Sequence, residues 1–301
     1  MAVWMQPLAV LCILLVSGVS QARFGFLPSK TSTGNINSPI HFKTISAPTL
    51  KYYGGPVISN VKLYVVLWSY ANKETEDGVP DFYKKLTTSN FMDWLDQYNT
   101  FSTPVNGGHG TDQHIGGGQY MGTIRIKPFN HTGYIDDTEI QNELKKQIET
   151  KALPAPDDNT LYMVYFPPMY TVSAYGMTSC VDFCAYHSSH GTPTTEHFFY
   201  GVMPDINHVG CDQGCAYGFD HFSSVTAISS HEYTEAVTDP YPAPGSTVVY
   251  PQAWNADDGS EIGDLCAGAN NSLGRSGDYF TVQSEFDNST NKCTSKDWMS
   301  P

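Results

Sequence analysis

The segment Ser230-His231-Glu232-Tyr233-Thr234-Glu235-Ala236-Val237-Thr238-Asp239-Pro240 gathers an imidazole and three carboxylates within one short stretch. Residues four apart stack on one face of a helix. His231, Glu235 and Asp239 therefore form one ridge, with Glu232 beside it. Pro240 stops the helix, because the residue before a proline is pushed out of the helical region. Such a ridge is costly unless it binds a cation or moves protons. Beyond it lies Ala253-Trp254-Asn255-Ala256-Asp257-Asp258-Gly259-Ser260-Glu261-Ile262-Gly263-Asp264-Leu265-Cys266, which supplies further carboxylates.

Locally, Ser230 to Val237 resembles the active helix of zinc metallopeptidases, in which two His one turn apart hold the ion. Here Glu235 stands at the second ligand position. A carboxylate still ligates, but it makes the centre less positive and lowers the pKa of bound water less. It also moves preference from Zn²⁺ towards Mn²⁺ or Ca²⁺. The gap from Glu235 to Glu261 is similar to that in peptidases whose third ligand is a downstream Glu. The expected ligands are thus His231, Glu235 and Glu261, with Glu232 as general base. Asp264 is expected to orient His231 from outside the ligand set, with Asp239 also outside it; Glu261 and Asp264 can exchange roles. The plain alternative is a ridge hydrogen-bonded to the Asp-rich loop, with Asp239-Pro240 as a helix stop.

Other groups carry less. His187-Ser188-Ser189-His190, with His197, has metal-binding residue types but reads as a loop beside a disulfide. His109 and His114 sit in a Gly-rich loop without phosphate-binding spacing or a lysine. No Gly-x-Ser-x-Gly elbow occurs. Asp257 or Asp258 with Glu261 would suit glycoside hydrolysis only across a sugar cleft. Trp254, Tyr279 and Phe280 suit sugar stacking, although core packing is the ordinary use of each.

These groups need positioning elements. The apolar run Val61–Trp68 predicts a buried strand. Phe91, Trp94, Leu95 and Tyr98 have helical spacing over 89–98. A strand is expected over 121–126, a helix from about Asp137 with Ile140, Leu144 and Ile148 on one face, and strands over 161–166 and 198–203. The ridge helix should start near Ser223. The pattern predicts an α+β fold: a mixed, partly parallel sheet with flanking helices, a zincin-like core, and a C-terminal half pinned by disulfides.

Residues 1–22 read as a secretory signal, with an apolar run over 8–16 and small residues at Ser20 and Ala22. An extended arm is expected over 23–50, and a single domain over 51–301. No later run is long and apolar enough to span a membrane. With 30 acidic against 16 basic side chains, the formal charge is −14, which argues against nucleic acid. Of seven cysteines, Cys12 lies in the leader. Cys180, Cys184, Cys211, Cys215, Cys266 and Cys293 remain, an even set that implies disulfides in a secreted chain, with the pairing open. Zinc held by the two Cys-x-x-x-Cys pairs is the lesser alternative. Asn130, Asn270 and Asn288 head glycosylation triplets.

Several separated motifs also resemble the EXORDIUM (phosphate-induced) family of secreted proteins. These are Tyr52–Val57 with the following strand, Cys180–His187, Cys211–Ala216, the His231 helix through Pro240, and Ala253-Trp254 with Glu261–Cys266. The resemblance implies an extracellular protein associated with cell walls, and no settled activity. Two functions follow as expectations. One is a secreted metal-dependent hydrolase, peptidase-like. The other is a non-catalytic matrix or wall protein that binds polysaccharide, a protein partner or calcium.

Overall fold

The computed structural model of the chain describes residues 23–26, 49–129, 133–168, 170–207, 211, 215, 219–243, 247–275 and 278–294. The leader at 1–22, most of the arm and Asn130 lie outside the described residues. The fold is mixed α+β. A six-stranded sheet is built from β1 (Arg23–Phe26), β3 (Lys62–Trp68), β4 (Gln119–Ile126), β6 (Thr160–Tyr165), β9 (Phe183–His190) and β10 (Phe198–Met203), in the order β1-β9-β10-β6-β3-β4. From β10 to β4 the strands are parallel; β9 and β1 add antiparallel at one end.

Side-chain alternation divides the core into two. Leu63, Val65, Leu67, Leu161, Met163 and Tyr165 face one side, where helix α1 (Lys73–Thr87) brings Val79, Phe82, Tyr83 and Leu86. Val66, Trp68, Tyr162 and Val164 face the other, under Ile140 and Leu144 of helix α3 (Asp137–Glu149). Each such aliphatic side chain contributes roughly 1.5–3 kcal/mol when fully buried. α3 starts where its capping box predicts: Asp136 accepts from Thr138 N while Glu139 reaches back to Asp136 N.

Two local expectations change. The helix over 89–98 is split into a short α2 (Phe91–Trp94) and a 3-10 turn (Leu95–Tyr98). The segment 187–190 belongs to strand β9 and is no loop: its backbone pairs with β10, His187 opposite Gly201. Its polar letters hide a strand because both faces are covered.

Smaller pieces surround this sheet. β2 (Lys51–Tyr52) pairs with β11 (Trp254–Asn255), and β5 (Tyr134–Asp136) with β7 (Thr171–Ala174), which also pairs with β8 (Met177–Thr178). β12 (Asn270–Arg275) pairs with β13 (Asp278–Gln283), and β14 (Phe286–Asp287) with β15 (Lys292–Cys293). Helix α4 (His221–Thr238) lies between the large sheet and β13. Disulfides Cys180–Cys211, Cys184–Cys215 and Cys266–Cys293 pin the C-terminal half, so each Cys-x-x-x-Cys pair is bonded to the other and no thiolate of either is left for zinc. Among the described residues, no helix is long and apolar enough to cross a membrane.

Candidate metal centre

Helix α4 carries the centre, and its sequence explains how it can be buried on nearly every side. Asp220 caps it by accepting from Ser223 N at 3.0 Å. Along its length Ser224, Ser230, Thr234 and Thr238 donate their hydroxyls to carbonyls three or four residues back. The polar side chains thus consume their own donors inside the helix. Small residues also let neighbours approach closely. Ser230 Oγ in addition accepts from Gln283 N of β13 at 2.9 Å.

The expected ridge is present for its first two members. His231 Nε2 lies 3.2 Å from Glu235 Oε2. Asp239 leaves it, because the helix ends at Thr238 and Asp239 adopts a non-helical backbone. Its carboxylate accepts from Ala253 N at 2.8 Å and Asn255 Nδ2 at 2.6 Å, and so positions the segment that leads to Glu261.

The downstream carboxylates divide between two histidines. Asp264 Oδ1 is 3.9 Å from His231 Nε2, the nitrogen that also faces Glu235, so it joins that pair on the same side of the ring. Its backbone N–H donates to Glu235 Oε1 at 3.1 Å. Glu261 Oε1 instead lies 3.6 Å from Nε2 of His187. His187 Nδ1 is 3.5 Å from Glu232 Oε2 and 3.7 Å from Glu235 Oε2. Among the described residues two sets of three potential ligand atoms, each within 4.8 Å, result: His231, Glu235 and Asp264, and His187, Glu232 and Glu235.

Burial makes this cluster electrically demanding. Glu232 and Glu261 are 0 % exposed, Glu235 and His187 1 %, His231 4 %. Burial opposes a charged His231, but Glu235, then Glu232 and Asp264, outweigh it and hold the ring well above its ordinary value. For Glu235 the same attraction, led by His231 and His187, overcomes burial and lowers its pKa. Burial wins at Glu232, whose pKa is raised despite both histidines. His187, which burial would lower, is raised by Glu232 and Glu235.

The sequence reading set His187 aside as part of a loop and missed Glu285. His187 was visible only as one His among three; strand parity alone decides that it turns to α4. His190 accepts or donates at Gln141 on the opposite side, and His197 pairs with Asp158 at 3.1 Å. Glu285 is 0 % exposed, and neither of its oxygens has a hydrogen-bond partner among the described residues. Burial, with repulsion from Glu235, Asp264 and Glu232, raises its carboxyl well above the usual range against the pull of His231. No periodicity marked the segment that carries it.

The remaining candidates are placed elsewhere. Asp257 sits at the surface, bonded to Lys51 and Tyr53, whereas Glu261 is buried. Trp254 packs on Tyr52 and Tyr98, and Phe280 on Phe82 and Phe222, while Tyr279 is exposed. Asn288 uses its amide on both backbone groups of Leu50. Asn270 lies in β12. The chain matches no family model, no curated protein and no solved structure.

Proposed function

We propose that this chain is a secreted, EXORDIUM-like, metal-dependent hydrolase of peptidase type, with a divalent cation held by His231, Glu235 and Asp264. The observation that carries this is the convergence of those ligand atoms within 4.8 Å. Donors about 2.1 Å from one ion at tetrahedral angles stand about 3.4 Å apart. The separations of 3.2 and 3.9 Å at His231 Nε2 bracket that spacing. Zn²⁺ suits the imidazole, and Mn²⁺ or Ca²⁺ the carboxylates. A cation here would polarise a bound water and a substrate carbonyl. Glu232, beside His231 on the helix and with a raised pKa, is the proton acceptor. Glu261 takes no ligand role in this proposal; it faces His187. Asp264's side chain, 14 % exposed, is the most exposed of the three ligands. The zincin likeness rests on α4 lying along the mixed sheet with His231 and Glu235 turned together.

Elemental analysis of protein purified without chelators tests it. At least one equivalent of metal is expected, with the His231 ion lost in His231→Ala and retained in Glu232→Gln, which should abolish peptide hydrolysis. Metal-free protein would refute the proposal.

A second reading is a non-catalytic matrix or wall protein in which the cation braces the fold. The near-complete burial of Glu232 and Glu235 favours it, because a polymer cannot reach them without movement. Metal in Glu232→Gln together with no peptidase activity in the parent protein would select this reading.

A further inference from the structure

We propose a second divalent-cation site, formed by His187 Nδ1, Glu232 and Glu235, so that Glu235 bridges two ions in a dinuclear centre. The inference rests on the His231 site proposed above, since Glu235 is common to both. The same oxygen, Glu235 Oε2, lies 3.2 Å from His231 Nε2 and 3.7 Å from His187 Nδ1. Glu232 Oε2 closes the second set at 3.5 Å from His187 Nδ1. The two separations at His187 Nδ1 match the edge of a coordination shell and are too long for good hydrogen bonds.

The hydrogen bonding of His187 adds a second observation. Its Nε2 lies 3.1 Å from the backbone oxygen of Asp239. A carbonyl only accepts, so Nε2 carries a proton, and in the neutral ring Nδ1 turns its lone pair towards two carboxylates. Acceptors facing acceptors in a dry interior repel unless a cation lies between them. An outer N–H bonded to a backbone carbonyl is also how metal-bound histidines are held in the ligating tautomer. Among the described residues His187 Nδ1 and both oxygens of Glu232 have no hydrogen-bond partner, and both residues are at least 99 % buried. A proton shared by His187 Nδ1 and Glu232 is the competing occupant. One imidazole and two carboxylates suit Mn²⁺ or Zn²⁺. Carboxylate-bridged pairs of ions sit about 3.5–4 Å apart. A second ion would also engage Glu232, the proton acceptor, so its loading should suppress the turnover that the first ion supports.

The test is a Mn²⁺ titration of the chelator-treated full chain, read by equilibrium dialysis and low-temperature electron paramagnetic resonance. The expectation is two equivalents with an exchange-coupled spectrum, and one equivalent with an isolated-ion spectrum in His187→Phe. One equivalent in the parent protein, abolished by His231→Ala, overturns the second site and leaves the first. Two uncoupled ions also overturn it, because the second then lies elsewhere. No bound metal overturns both. Should His187→Phe not fold, the coupling in the parent protein decides alone.

Discussion

Gly263 faces the His231 ring with no room for a side chain. A Cβ there would lie 2.5 Å from Nδ1, 2.8 Å from Cε1 and 3.0 Å from Glu235 Oε1. Its backbone is ordinary right-handed helical, so the glycine is required by proximity alone. Gly263 O also accepts from Gln283 Nε2 at 2.8 Å, which locks the loop in place. Gly263→Ala should therefore push ring and loop apart, costing about 1–3 kcal/mol of stability. Zn²⁺ affinity should fall roughly 10–100-fold, as when a group supporting a metal ligand is lost. An unchanged dissociation constant in isothermal titration calorimetry would mean that Gly263 does not set the centre.

Glu285 gives the pH dependence. Its folded pKa lies well above its unfolded value. The native chain thus keeps a proton that the unfolded chain has released, and stability is greatest below the usual carboxylate range. It declines as pH rises towards the folded pKa. Glu285→Gln should match the parent apoprotein near pH 4 and exceed it at pH 7, by about 2–4 °C in Tm for each kcal/mol recovered. Mn²⁺ should narrow that gap, since a nearby cation favours the ionised carboxylate. Equal melting at both pH values would show that Glu285 ionises freely.

The Cys266–Cys293 bond closes a loop of 27 residues directly after the 3-10 turn Asp264–Cys266. Chain entropy assigns such a loop about 3.5 kcal/mol. Replacing both cysteines by Ala should reduce urea-unfolding free energy by that order and weaken metal binding through Asp264. Lower stability with unaltered affinity would separate the disulfide from the centre.

Gly78 lies inside α1 against α4. A Cβ there would fall 2.2 Å from Phe222 Cζ. Gly→Ala in a helix interior ordinarily gains about 1 kcal/mol. Gly78→Ala should give that gain only when combined with Phe222→Ala, and none or a loss alone. A double-mutant cycle without coupling would show that Phe222 simply yields.

What the sequence by itself determined is local. The four-residue spacing of His231 and Glu235, with Pro240 beyond, requires only helix geometry, and α4 follows it. The apolar runs at Val61–Trp68 and Phe198–Met203 became strands for equally short-range reasons. Helix α1 shows where such reasoning ends. No expectation covered residues 73–87; Gly78 and Pro80 disfavour a helix there, and burial of Val79, Phe82 and Leu86 overrides them.

Tertiary structure alone decided which distant groups meet. His187 reaches α4 because β9 pairs with β10 in a register that turns His187 and Ser189 to the α4 side and Tyr186 and His190 to the other; a one-residue slip would point His187 away. Glu261 and Asp264, three residues apart, face different histidines because the chain turns sharply at Gly263 between them. Glu285 joins only because β13 packs across α4. Spacing along a chain fixes what one helix face presents, but convergence of separate elements depends on register and packing, which no local pattern encodes.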